Sequence, residues 1–278
     1  MSHGLKSLPV LDISPFLLDE SSPGGQKVVQ ELLEICTTIG FVYIVGHGVP
    51  PAVDATLLDV ARQFFDLDEA DRLAIVNTKS PYFRGYTRLG MERTAGASDW
   101  RDQIDIGPEN PPPAAAPSPQ DPLWLRLRGP NQWPPALPAL RPAVTDWMAR
   151  MEALSRAVLR ALALGLGQPA DHFEYAVHPG PEVLVKVMRY PALPGGGQGV
   201  GPHFDAGLLS FIHQDGVGGL EVLPDGGPPI PAPPMPGAYV MNLGEMLQVP
   251  SPGPAGRARL PRAEPRAAPT RAVPQSNI

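Results

Sequence analysis

The chain changes character at Pro181, and that change limits the folds open to it. Ahead of Pro181, apolar residues recur with helical spacing. Over residues 27–39, Val28, Leu32, Leu33, Ile35 and Cys36 share one face, and Gly40 stops the pattern. Over residues 137–166, Val144, Trp147, Met148, Met151, Leu154, Val158, Leu159 and Leu162 do the same. Further helices are predicted from Pro51 to about Phe65 and over residues 67–75. After Pro181 the apolar stretches shorten to strand length and are parted by Gly and Pro turns: 183–190, 203–213, 219–223 and 238–243. Two early strands, 8–13 and 41–45, belong with them. Helices first and antiparallel strands later predict an α+β chain, a β-sandwich or barrel with helical cover.

Two segments fit neither pattern. Residues 108–136 form a Pro-rich excursion: Pro111-Pro112-Pro113-Ala114-Ala115-Ala116-Pro117 cannot be a regular helix or a central strand. Residues 249–278 hold seven prolines, five arginines and six alanines and no aromatic residue. That composition reads as disordered and unable to supply core strands. The expected divisions are therefore 1–107, 108–136, 137–248 and the atypical tail 249–278.

A net charge of -6 argues against a nucleic-acid or anionic-membrane surface. No apolar run reaches the length of a membrane span. One cysteine, Cys36, excludes an internal disulfide and suits a reducing cytoplasm. A cytoplasmic monomer acting on a small molecule is expected.

Chemistry concentrates at Gly201-Pro202-His203-Phe204-Asp205. On a strand, residues two apart share a face, so His203 and Asp205 would point together and hold one cation, with Phe204 packing opposite. Two histidines and a carboxylate form a typical face for non-haem Fe(II). The second histidine does not follow: after Asp205 the sequence has His213 and no other. His213, eight residues along the expected strand, would need a sharp chain reversal to reach the metal.

The ordered motifs around this pair carry a resemblance. They are Pro9-Val10-Leu11-Asp12-Ile13, Gly40-Phe41-Val42-Tyr43-Ile44-Val45-Gly46-His47-Gly48-Val49, Phe83-Arg84-Gly85-Tyr86, Asp105-Ile106-Gly107, Arg189-Tyr190-Pro191, the segment from His203 to Val222, and Asn242-Leu243-Gly244-Glu245. Across residues 8–248 the chain resembles the isopenicillin N synthase-like Fe(II)/2-oxoglutarate-dependent oxygenases. The resemblance implies a double-stranded β-helix (jelly roll) behind an N-terminal helical cap. It implies Fe(II) held by His203 and Asp205, 2-oxoglutarate as cosubstrate, and O₂ and a small organic substrate as reactants. Oxidative decarboxylation of the cosubstrate would generate the oxidant, leading to hydroxylation, desaturation or cyclisation. Tyr190 matches a tyrosine near the cosubstrate or substrate carboxylate, or is a core tyrosine. Asn242 lines the cavity or stabilises a turn. Arg84 and Arg101 meet an anionic substrate or form ordinary ion pairs. His47 falls in the cap's His-Gly turn and reads as structural.

The tail departs from the family. The distal histidine and the Arg-x-Ser anchor for the cosubstrate's far carboxylate have no counterpart, since Arg257-Ala258-Arg259 lacks the serine. The last barrel strands are thus expected to be missing, through a shifted reading frame or a degenerate copy. An inactive remnant that binds a ligand or protein is the rival expectation. An ethylene- and succinate-forming enzyme or an oxoglutarate-independent oxidase is a further one.

Overall fold

The computed structural model describes residues 6–113, 118, 120–178, 180–193, 199–224 and 227–247, with the backbone of 263–267 and 275–277. In chain order the first half runs β1 (Val10–Asp12), α1 (Ser14–Leu18), α2 (Pro23–Thr38), β2 (Phe41–Val45), α3 (Pro51–Asp66), α4 (Glu69–Ala74), β3 (Gly85–Thr87), β4 (Arg93–Thr94), β5 (Ala97–Ser98) and β6 (Asp102–Ile106). Then follow α5 (Leu140–Gly165), α6 (Glu174–Val177), β7 (Val185–Tyr190), β8 (Leu209–Ile212), β9 (Leu220–Pro224), β10 (Ile230–Pro231), β11 (Tyr239–Leu243), β12 (Ala263–Ala267) and β13 (Gln275–Asn277).

The helices arise where the spacing puts them. In α2, Pro23 occupies the first turn, where its missing N–H costs nothing, and Ser22 Oγ accepts from Gly25 N at 3.0 Å. Val28, Val29, Leu32 and Cys36 are its buried face. Helix α5 packs against both α2 and α3 and buries Leu140, Val144, Trp147, Met151, Leu154, Val158, Leu159 and Leu162. Together with strand residues such as Ile44, Ile104 and Met241 they form the main core. Among the described residues no helix is long and apolar enough to cross a membrane.

The strands form three main sheets, β1-β2-β11-β8, β10-β9-β12 and β13-β7-β6-β3, with β4-β5 as a separate hairpin; Leu220, Val222 and Ile230 of the second pack on Phe41, Tyr43 and Val240 of the first, in a cluster separate from the helical core. Strand β11 lies between β2 and β8, antiparallel to both, and all five of its residues are buried. The described strands do not close into a barrel.

Two expectations need correction. Residues 201–206 are not strand; β8 begins at Leu209, after Gly207 turns the chain at φ +90°. The tail is not wholly apart from the sheets either. The backbone of Ala263–Ala267 pairs with β9, and that of Gln275–Asn277 pairs with β7. A sheet edge offers N–H and C=O groups to any backbone, so pairing does not require apolar composition. Pro265 is tolerated because β12 is an edge strand. The rest of the tail, including Arg257-Ala258-Arg259, lies outside the described residues.

One buried carboxylate joins cap to sheet. Asp102 on β6 receives Arg189 Nε at 3.0 Å and Nη2 at 2.7 Å, and the Tyr86 hydroxyl at 3.0 Å. Arg72 of α4 stands 3.6 Å away, and Arg189 also donates to the Phe65 carbonyl at 3.0 Å. Removing the carboxylate strands two partly buried guanidinium groups. Asp102→Ala is therefore expected to cost about 3–5 kcal/mol, whereas Arg88→Ala, which breaks an exposed pair with Glu69, should cost within about 1 kcal/mol. Urea unfolding of both variants checks this ranking.

Candidate active site

The loop from Gly201 to Leu208 carries the candidate metal ligands, and β11 holds the loop. Gly244 N donates to Leu208 O at 2.9 Å, Glu245 N to Asp205 O at 2.9 Å, and Met246 N to Gly207 O at 3.0 Å. The approach is so close that a Cβ on Gly244 would stand 2.3 Å from the Gly207 carbonyl oxygen. Asn242 projects from β11 and donates Nδ2–H to Asp205 Oδ2 at 2.9 Å. Asn242 was read as a cavity or turn residue; in the structure it orients the carboxylate.

His203 is anchored from its other side. Its Nδ1 lies 2.9 Å from the Gly201 carbonyl, an oxygen that can only accept, so Nδ1 carries the proton in the neutral imidazole, and Nε2 is the nitrogen that gains a proton or a cation. That Nε2 is 3.5 Å from Asp205 Oδ1. The two groups do lie side by side, as expected, although a loop and not strand alternation brings them together. A lone pair facing a carboxylate oxygen is stable where a proton or cation sits between them. The imidazole pKa is accordingly raised, first by the Asp205 hydrogen bond, against burial and the charge of Arg101. For Asp205, burial works to raise the pKa, but the hydrogen bonds from His203 and Asn242 outweigh it and the net shift is downward.

This nitrogen–oxygen donor pair fits a non-haem divalent iron and is one imidazole short of the usual face. Among the described residues no further His, Cys, Asp or Glu completes a group of three. His213 is not a substitute. Asp205 lies at the Asn242–Glu245 end of β11, while the His213 ring packs edge-on against Tyr239 at the opposite end, with centroids 5.5 Å apart. Tyr239 donates to Asp54 Oδ1 at 2.6 Å, and so does Trp147 Nε1 at 3.2 Å. His47 stacks on Tyr239 at 4.4 Å; its Nε2 donates to Gly237 O at 3.2 Å and its Nδ1 accepts from Val49 N at 3.2 Å. That pattern agrees with a structural histidine.

Tyr190, at the end of β7, is buried, and burial pushes its phenol pKa up, so the hydroxyl is neutral. It faces Arg101, whose Nη1 is 3.5 Å from the hydroxyl. The Gly199 backbone crosses the Tyr190 ring, where an added Cβ would stand 2.6 Å from Cδ1. Trp100 N donates to Gly199 O at 2.7 Å, so the chain entering the His203 loop is tied to the Arg101 segment. Arg84 lies elsewhere: it donates to the carbonyls of Tyr82 and Phe83 at 3.0 and 3.1 Å and packs beside Gly107.

Comparison with known proteins fits this geometry. Residues 8–136 match the family described as non-haem dioxygenase in morphine synthesis N-terminal, and residues 174–273 match the 2OG-Fe(II) oxygenase superfamily. The homoarginine-6-hydroxylase 2-ODD-C23 of Glycine max is 33% identical over 268 residues, covering 91% of this chain and 80% of its own. The chain belongs to the 2OG-Fe(II) oxygenase superfamily. A 2-oxoglutarate-dependent dioxygenase, frbJ, of Dothideomycetidae sp. (strain 11243) is 35% identical over 248 residues; the match covers 87% of this chain and 65% of the relative. A crystal structure of a putative 2OG-Fe(II) oxygenase family protein from Caulobacter crescentus superposes with a TM-score of 0.80 at 24% identity, covering 98% of this chain and 86% of that one. The fold is thus the jelly-roll fold of these oxygenases. The superfamily match continues to residue 273, past the limit of 248 that the motifs alone indicated. Oxygenases of this superfamily are enzymes that use Fe(II) and 2-oxoglutarate.

His213 offers a pH test of the far end of β11. Burial lowers its pKa most; Asp54 and Asp215 oppose the shift and His47 adds to it. A lowered folded-state pKa means the unfolded chain takes up the proton first as pH falls. The stability held by neutral His213 is present above the unfolded value of ~6.5 and declines below it. His213→Leu should therefore gain on the wild type as pH drops from ~7 to ~5. Chemical denaturation across that range measures it; a difference independent of pH would refute the assignment.

Proposed function

We propose that this chain oxidises a small organic substrate with O₂ and 2-oxoglutarate, at an Fe(II) held by His203 and Asp205. The observation that carries the reading is the convergence of His203 Nε2 and Asp205 Oδ1, 3.5 Å apart, each fixed from behind by Gly201 and Asn242. The bound iron and cosubstrate would supply the oxidising chemistry. The protein's part is positional: Asn242 aims the carboxylate, the Gly201 carbonyl keeps Nε2 free, and Tyr190 borders the cosubstrate. With two protein ligands among the described residues, the remaining positions would fall to cosubstrate and water, and metal binding should be weaker than at a three-ligand face.

Homoarginine-6-hydroxylases recur among the relatives, in soybean and Arabidopsis thaliana, and support a free basic amino acid as the first substrate class to try. Succinate formation from 2-oxoglutarate should be followed with homoarginine, arginine and lysine under Fe(II) and O₂. Metal binding is read separately by anaerobic Mn(II) titration. Asp205→Ala and His203→Ala should each abolish saturable binding, and Asn242→Leu should weaken it about tenfold by releasing the carboxylate. Retention of wild-type Mn(II) affinity by Asp205→Ala would remove the basis of the reading.

A further inference from the structure

Strands β6 and β7 carry a second polar cluster, away from the metal ligands. Register places Gln103 opposite Met188 and Asp105 opposite Lys186, so these side chains share one face with Arg101 and Tyr190. That face looks toward the candidate metal ligands: the charge of Arg101 acts on His203, and that of Asp205 acts on Tyr190. Lys186 stands four residues before Tyr190, about 13 Å along an extended strand.

Gln103 is 0% exposed. Its Nε2 donates to Asp105 Oδ2 at 2.8 Å. A carboxylate only accepts, so the nitrogen is the atom that faces Asp105 and Oε1 is the open end of the amide. Oε1 is buried with no partner among the described residues, and a buried acceptor left unmade is costly. Asp105 gives its other oxygen to Lys186 Nζ. The Lys186 side chain is 30% exposed, against 1% for Asp105, and its ammonium stands 5.7 Å from the centroid of the Phe83 ring. An ammonium has three donors, and Asp105 uses one of them. One end of the cluster therefore lacks a donor, and the other end presents a partly exposed cation. One negative and one positive charge cancel, so the cluster complements a ligand that is itself a zwitterion.

We propose that Gln103, Asp105 and Lys186 form a receptor for the α-ammonium and α-carboxylate of an amino acid. The ammonium donates to Gln103 Oε1 and to Asp105, and the carboxylate accepts from Lys186. The flexible stem of Lys186 lets its ammonium swing from Asp105 to the incoming carboxylate while the ligand's ammonium takes its place. Each buried charge keeps a partner throughout. With the head group held here, the amino-acid side chain is left to span the face toward His203 and Asp205, which suits a long side chain. The choice of an amino acid as the substrate rests on the oxygenase reading above, whereas binding of the head group does not require metal.

The test uses metal-free protein in EDTA, with calorimetry as readout. The probes are homoarginine, its deaminated analogue guanidinohexanoate and its decarboxylated analogue guanidinopentylamine, with arginine and lysine alongside. Wild type should bind homoarginine saturably and each analogue about tenfold or more weakly. Gln103→Met should weaken homoarginine and guanidinopentylamine, which carry the ammonium, about tenfold and leave guanidinohexanoate unchanged. Lys186→Gln should weaken homoarginine and guanidinohexanoate and should not weaken guanidinopentylamine. A general loss of packing would not produce this crossed pattern. Arg88→Gln, a surface cation, is the control and should match wild type. Thermal melts establish that each variant is folded, and Gln103→Met alone carries the test if Lys186→Gln is not. The proposal is overturned if wild type binds none of the three amino acids, if it binds homoarginine and both analogues equally, or if folded Gln103→Met weakens all probes alike or none. Mn(II) titration of the same protein keeps the two readings apart: failure to take up Mn(II) counts against the oxygenase reading and leaves the head-group result standing.

Discussion

The hydrogen bond from Asn242 to Asp205 is the interaction on which the site depends. The loop from Gly201 to Leu208 is rich in residues that do not hold a conformation by themselves. Its shape comes from β11 and the residues that follow it: Asn242 of the strand meets the loop with one side chain, and residues 244–246 meet it with three backbone N–H groups. Strand β11 can serve as this template because it is buried along its whole length and paired on both edges. Asn242 Oδ1 has no partner among the described residues, so the amide contributes one bond to Asp205 and leaves an acceptor unfilled. Such an incomplete polar group in a core position is the kind of cost that functional sites retain.

The opposite wall is set by register. Strands β6 and β7 pair Asp102 with Arg189, and the same two residues form a bidentate ion pair across the sheet. Arg101 and Tyr190 are the residues next in line on each strand, so the Asp102 network determines where they meet. Arg72 and the Phe65 carbonyl extend the network into the helical cap. Cap and sheet are thereby tied together at the strand position beside Arg101 and Tyr190.

The helices were legible because each buries one face, and Val28, Leu32 and Cys36, or Val144, Met151 and Leu162, state that face in plain 3.6-residue spacing. Strands β2 and β11 were legible as short apolar runs. The His203 segment misled because His-Phe-Asp imitates strand alternation, while Gly201-Pro202 before it and Gly207 after it favour a turn. The two side chains meet for a different local reason. Arg101 could not be distinguished from an ordinary salt-bridging arginine, since its partner Tyr190 is 89 residues away and they meet through strand pairing. The tail misled for a related reason: composition reports side chains, and the contacts observed for 263–267 and 275–277 are backbone ones.

The charges in direct contact at the site suggest an order of events. Asp205 and Asp99 are both carboxylates, Arg101 is the one permanent cation paired with either among the described residues, and Tyr190 is neutral. Without a metal the carboxylates dominate, and a dianion such as 2-oxoglutarate would be met by uncompensated negative charge at Asp205. A divalent cation held by His203 and Asp205 would reverse that balance. Burial makes both that repulsion and its relief worth more than they would be in water.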